Sequence, residues 1–244
     1  MNAAAAAFVL APALALGSFL NVVAARVPAR RSVLRPPSSC GGCSRKILWR
    51  DNIPVLSYVL LDGRCRHCDT RISPVYPLVE AVTAALIVAC VAVFGPTSEA
   101  AVASGFCAVL VTLSVIDVRL RIVPGRIVLP AAATALVVQT VLDPSAEWLL
   151  SALAAAGFLF AVVLAYPKGL GMGDVKLALL LGAVLGASVS VALMFGLLVA
   201  VALAALLGAT GRKMGVPLVP FLSIGALVAL FLGERILDLY LGMF

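Results

Sequence analysis

From Leu177 to Gly211 the chain runs 35 residues without a charged side chain. At a rise of about 1.5 Å per residue, that run is too long for one helix across a hydrocarbon core of about 30 Å. It predicts two short helices turning near Gly186-Ala-Ser188. Comparable apolar stretches cover roughly 3–25, 75–94, 100–117, 127–142, 147–166, 175–187, 188–209 and 217–236. The reading is an all-α polytopic membrane protein of about eight spans. With 63% hydrophobic and 12% charged residues, the composition excludes an ordinary soluble domain.

Positive charge orients these spans. With the N-terminus outside, one face receives residues 26–74, 118–126, 167–174 and 210–216, and Lys176 lies just inside the sixth span. Seventeen of the 18 Lys and Arg fall there, Arg235 being the exception. By the positive-inside rule that face is cytoplasmic. The net charge of +7 thus reports topology and calls for no nucleic acid. In a signal peptide the positive charge precedes the apolar run, whereas here it follows, so residues 1–25 read as a retained first span.

One loop is long enough to form a small domain. Residues 26–74 contain Cys40-Gly-Gly-Cys43 and Cys65-Arg-His-Cys68, two C-x-x-C pairs separated by 21 residues. That spacing offers four thiolates from two tight turns to one tetrahedral zinc ion, and a closed four-thiolate site is structural rather than catalytic. Two disulfides or unliganded thiols are the competing reading, and a reducing cytoplasm disfavours the disulfides. His67 is a lesser alternative ligand. The loop has too few large apolar side chains to bury much core, so the metal is expected to supply much of its folding energy. Cys90 and Cys107 lie within apolar spans and read as small buried hydrophobes. The domain organisation read from these features is a first helix at 1–25, the zinc-binding domain at 26–74 and a catalytic membrane core at 75–244.

The chemistry is then sought in the carboxylates. Ionisable groups at membrane depth are costly and usually functional. Asp117 ends the third span and Asp174 begins the sixth, in Gly171-Met-Gly-Asp174-Val-Lys176, so both belong on the cytoplasmic boundary although 57 positions separate them. Two carboxyl groups sharing a site cannot both ionise cheaply. One keeps a proton as general acid while the other activates water, an arrangement suited to peptide hydrolysis. A boundary aspartate can also cap a helix or pair with Arg119, Arg121, Lys168 or Lys176. Gly171 and Gly173 flank Met172 and would let an extended substrate backbone approach Asp174. Asp174 stands at a helix start and Asp117 at a helix end, so the macrodipole assigns Asp174 as base and Asp117 as acid.

Together with Gly17-Ser-Phe-Leu-Asn21-Val-Val-Ala-Ala-Arg26-Val-Pro28, Asn52-Ile-Pro54, Gly63-Arg-Cys65-Arg-His-Cys68 and Ile72-Ser-Pro74-Val-Tyr-Pro77-Leu-Val-Glu80, these motifs resemble the bacterial type IV prepilin peptidase family, over most of the chain. The resemblance implies a GxGD aspartyl membrane protease of the cytoplasmic (inner) membrane. It would cleave the leader of type IV prepilins or type II secretion pseudopilins after a glycine, then methylate the new N-terminus with S-adenosylmethionine. It also implies Asp117 and Asp174 as catalytic residues and Cys40, Cys43, Cys65 and Cys68 as zinc ligands. The chain departs from the family pattern at Gly125, where relatives carry Asp or Asn, and at Pro217-Leu-Val-Pro220-Phe221.

Glu80 is a boundary carboxylate that either snorkels towards water or pairs with an arginine of the zinc loop, or else belongs to the methyl-transfer site. No glycine-rich cofactor motif is visible to locate S-adenosylmethionine. Lys176 and Lys168 read first as topology signals, with substrate attraction as the alternative. Gly17 and Asn21, four residues apart, read as a helix-packing seam. The rival readings are a peptidase without methyltransferase activity, an ion-coupled transporter and a structural assembly factor. Transporter carboxylates favour broken helices near the bilayer centre, and both aspartates here lie near one surface. Oligomeric state has no signature in the sequence.

Overall fold

The structure, a computed structural model, describes residues 3–166, 170–206 and 217–242. Lys168, Arg212 and Lys213, counted in the charge pattern above, lie outside the described residues, as does the end of the span expected at 188–209. The described residues are almost entirely helical, with two isolated β-bridges and no strand. The helices are α1 (Ala3–Arg26), α2 (Leu56–Leu60), α3 (Val75–Phe94), α4 (Ser98–Leu120), α5 (Gly125–Leu142), α6 (Glu147–Ala165), α7 (Met172–Leu185), α8 (Val189–Leu206) and α9 (Val219–Leu241).

Among the described residues, seven segments are long and apolar enough to cross a membrane, with Met172–Leu206 counted as one. That segment breaks where the sequence predicts. Gly186 takes φ +54°, a left-handed conformation that glycine adopts without a Cβ clash, and α7 stops there. The Ala187 N–H, exposed by the break, donates to Glu147 Oε1 at 2.9 Å. The 14 residues of α7 reach only about 21 Å, short of a full span, which is why eight expected helices resolve as seven crossing segments. The protein is a multi-pass membrane protein.

The chain divides into two compact units, Met1–Thr112 and Leu113–Phe244, with the division falling inside α4. In the first unit α1 packs along α3. The contact is close because Gly17 has no side chain: a Cβ there would stand 2.7 Å from Glu80 Cα and 3.2 Å from Thr83 Cβ. One turn further on, Asn21 Nδ2 donates to the Tyr76 carbonyl at 3.1 Å. The seam expected from Gly17 and Asn21 therefore forms against α3, in the small-residue manner of membrane helices. Gly17→Ala gains roughly 0.5–1 kcal/mol of helix propensity, but the new methyl meets backbone, which cannot rotate away, at a cost of about 1–3 kcal/mol. The clash wins. A lower melting temperature than the parent protein in detergent is the expected result, and an equal or higher one would show the seam to be loose.

In the second unit α7 is buried on nearly every face, from Val175 and Leu177 to Leu185, as befits a helix apolar all round. Its neighbour α6 runs antiparallel to it, and Gly182 lies against the Ser151 and Ala152 backbone. The start of α5 lies beside the start of α7, and Gln139 Nε2 near its far end donates to the Val184 carbonyl at 3.2 Å. The antiparallel pair α8 and α9 closes on Gly196 and Gly225. This packing brings the starts of α5, α7 and α9 and the end of α4 to one end of the unit.

Candidate active site and metal centre

Both aspartates lie at that end. Asp117, in the last turn of α4, is 6% exposed, and its Oδ2 accepts the Val219 N–H at 3.1 Å. Val219 is the first residue of α9 and is itself buried. One turn earlier on α4, the hydroxyls of Ser114 and Ser223 meet at 3.0 Å and fasten α4 to α9. Asp174 is half-buried in the first turn of α7, and its Oδ2 accepts the Gly171 N–H at 3.0 Å. This is the carboxylate half of a capping box, closed by the Asp174 N–H donating to the Gly171 carbonyl at 3.0 Å. Asp117 at the end of α4 and Asp174 at the start of α7 thus stand at the same end of the second unit.

The flanking residues have distinct packing roles. A Cβ on Gly173 would stand 2.9 Å from Val123 Cβ, so this glycine lets the start of α7 lie against the α4–α5 connection. Gly171 is exposed, at an ordinary φ of −101°, and a Cβ there would meet Asp174 Oδ2 at no less than 3.8 Å. Lys176 reaches toward Gly125, where a Cβ would stand 3.6 Å from its Nζ. The departure at Gly125 thus leaves open space beside the lysine. The departure at Pro217–Phe221 matters differently, because this segment carries the N–H that binds Asp117. Residue type alone gave no hint of that contact, which a backbone atom makes.

The dipole argument for the two aspartates needs revision. Asp117 does close α4, but its carboxylate also receives the first N–H of α9, so it faces the positive end of a second helix. Each carboxylate is therefore held by a backbone N–H at a helix start. The helix fields no longer separate the two.

The four cysteines form a second cluster, in the first unit. Two turns of like construction carry them. Cys40 N–H donates to the Arg45 carbonyl and Ser44 N–H to the Cys40 carbonyl; Cys65 N–H donates to the Thr70 carbonyl and Asp69 N–H to the Cys65 carbonyl. Ser44 and Asp69, each just after the second cysteine, both take a left-handed φ, +58° and +60°. A side chain on Gly42 would collide with Thr70 of the other turn. All four sulfurs lie within 4.8 Å of one another, with Cys40 and Cys68 at 3.6 Å. Four sulfurs about 2.3 Å from a tetrahedral ion stand about 3.8 Å apart, so the donor set fits a metal. The thiols are unequal. The Thr70 hydroxyl and N–H hold Cys68 down at about 6. Cys43 is favoured as thiolate by the Arg45 backbone but pushed up to about 11 by desolvation and the neighbouring sulfurs. A divalent ion is what would deprotonate such a set together. Beside the cluster, Arg66 grips Asp51 through three contacts of 2.7–3.0 Å, which holds the Asp51 carboxyl below its usual range. Cys90 and Cys107 are buried, as expected, with sulfurs 3.8 Å apart.

Glu80 is 8% exposed, and its Oε2 accepts the N–H of Val55 at 2.7 Å. Val55 takes a left-handed φ of +61°, a strained conformation for a β-branched residue. Glu80 thus anchors the metal-binding loop to α3 through backbone rather than through an arginine, and among the described residues it forms no ion pair.

Residues 12–94, which include all four cysteines and Glu80, match the bacterial peptidase A24 N-terminal domain. Residues 104–233, more than half of the chain and including both aspartates, match the type IV leader peptidase family. The chain belongs to the type IV leader peptidase family. Among its relatives, the prepilin leader peptidase/N-methyltransferase of Bacillus subtilis (strain 168) is 35% identical over 240 residues, covering 94% of this chain and 95% of that protein. Proteins of the same name from Burkholderia pseudomallei (strain 1026b) and Myxococcus xanthus (strain DK1622) are 33% and 40% identical, over 93% and 74% of this chain and 85% and 56% of their own lengths. No solved structure matches the chain. Within the leader peptidase family frame, the aspartates and the cysteines fall into separate matched segments, as they fall into separate units of the fold.

Proposed function

We propose that this protein is a membrane aspartyl endopeptidase that cleaves the leader peptide of type IV prepilins or type II secretion pseudopilins after a glycine, at the cytoplasmic face of the inner membrane, and then methylates the new N-terminus. The observation that carries the reading is the placement of Asp117, at the end of α4, and Asp174, at the start of α7, at one end of the second unit, each fixed through Oδ2 by a backbone N–H. The pair shares one proton. The ionised carboxylate takes a proton from water as the water oxygen attacks the scissile carbonyl carbon, and the protonated one supplies its proton to the departing nitrogen. The carbon–nitrogen bond breaks, leaving a carboxylic acid on the leader and an amine on the mature chain. Lys176, beside the open space at Gly125, is positioned to hold a carbonyl or carboxylate of the substrate. Gly171, beside Asp174, is exposed and carries no side chain.

Cys40, Cys43, Cys65 and Cys68 would hold a structural zinc ion, which supplies cross-linking of the loop at 26–74 rather than chemistry. S-adenosylmethionine would supply an electrophilic methyl group, and Glu80 is the candidate residue on this chain for its site. The positive charge of the loops supports a cytoplasmic placement of both sites. Incubating purified protein with a prepilin-like peptide and S-adenosylmethionine, then weighing the products, tests the reading. Free leader and a mature peptide heavier by one methylene are expected. Cleavage without the added methylene would make the protein a peptidase alone, and an intact peptide would remove the proposal.

A further inference from the structure

The metal-binding loop carries large apolar side chains that its own fold leaves uncovered. Trp49 is 83% exposed, and Leu56, Val59 and Leu60 are 50–72% exposed. The last three stand at i, i+3 and i+4 on α2, which puts them on one face of that helix. Ser57 turns inward instead. Its hydroxyl accepts the Ile53 N–H at 2.9 Å and donates to the Arg50 carbonyl at 3.0 Å, fastening α2 to the 3₁₀ turn Trp49–Asn52. The first unit also encloses a cavity of about 810 Å³ between α1, the start of α3 and this loop, and none of the four apolar residues belongs to its walls. They face outward. Depth decides what they face. The N–H of Val55, just before α2, donates to Glu80 Oε2 at 2.7 Å, and Glu80 is the sixth residue of α3, a helix long and apolar enough to cross a membrane. At a rise of about 1.5 Å per residue, Glu80 stands about 7–8 Å into that helix. The start of α2 is therefore held against the first two turns of a spanning segment, where Leu78 and Val82 are themselves exposed.

We propose that Trp49, Leu56, Val59 and Leu60 dock the metal-binding loop into the headgroup layer of the bilayer beside α3. The aliphatic side chains enter the acyl boundary. Trp49 suits the same depth, since an indole has an apolar ring to bury and an N–H that needs a wet partner. Lys46 and Arg50, both exposed and on either side of Trp49 in the chain, can reach headgroup phosphates while their stems stay on apolar surface. A short element with one apolar face and flanking cations lies in the interface rather than crossing it. A second copy of this chain is a poorer occupant. It would bring the same loop, in which Lys and Arg outnumber Asp, against its like. Docking from outside and the cysteine cluster within would together hold the loop in one position against α3.

Tryptophan emission of the full chain, reconstituted into vesicles of phosphatidylcholine and phosphatidylglycerol, tests the assignment. The protein has two tryptophans, so Trp148→Phe leaves Trp49 as the reporter. Replacing the phosphatidylcholine by a form brominated on the upper acyl chain is expected to lower the Trp49 emission about twofold, because an interfacial face sinks about 5–10 Å into the headgroup–acyl boundary. Iodide in the water is expected to quench it only weakly. Leu60→Asp puts a charge on the docking face at a position the fold leaves exposed, and is expected to exchange bromine quenching for iodide quenching. Trp49 emission open to iodide and untouched by bromine, before that substitution, would place the face in water and overturn the proposal. Emission shielded from both quenchers would show a protein surface over Trp49 and overturn it equally. If Trp148→Phe melts early, the difference between the parent protein and Trp49→Phe in the same vesicles gives the Trp49 signal and decides by the same outcomes.

Discussion

Asp117→Asn and Asp174→Asn are each expected to lower leader cleavage by about 10²–10⁴-fold, the contribution of one positioned acid or base. Asparagine keeps the shape of the side chain and an oxygen able to accept the Val219 or Gly171 N–H, so the helix ends stay in place and only proton transfer is lost. The two losses are not additive. Once either carboxyl is gone the pair cannot both activate water and protonate the leaving nitrogen, so the double variant should be scarcely slower than either single one. Methyl transfer to a supplied mature peptide is expected to persist in all three, because no step of it is assigned to these aspartates. Product masses read both outcomes in one experiment, and cleavage at the parent rate by either single variant would rule out the pair.

The second large effect concerns the metal. Elemental analysis of protein prepared without chelators is expected to give about one zinc per chain, and Cys40→Ser or Cys65→Ser to lose most of it. Zinc binding in small thiolate domains contributes about 10–16 kcal/mol, far more than a loop of this size gains from burial. Few large side chains in 26–74 are buried, and Leu34, Trp49 and Leu60 are exposed at 72–83%. Losing the ion should therefore make the loop sensitive to protease, while the membrane helices remain resistant. Protein free of zinc with a protease-resistant loop would defeat the assignment.

Much of this was legible in the sequence because it depends on local cost. A charge at membrane depth is expensive wherever the helix sits, so the apolar runs and the two boundary aspartates identify themselves. The break at Gly186 follows from length alone, and the four cysteines follow from spacing, since a C-x-x-C turn already points two sulfurs the same way. Asn21 and Gly17 announced a seam because an amide in lipid needs a partner.

Tertiary structure decided what depends on register between distant segments. The N–H that holds Asp117 comes from a residue 102 positions away, and since every residue type but proline offers such a group, no side-chain pattern could mark it. The same contact cancelled the helix-end argument for separating the two aspartates. Gly173 looked like an opening for substrate but meets Val123, and Glu80 looked like an arginine partner but holds the strained backbone of Val55. The cavity in the first unit left no mark in the sequence, because its walls are drawn from α1, a loop and α3. A run of residues specifies which groups must be buried or bound; only the packing of helices determines which of them face one another.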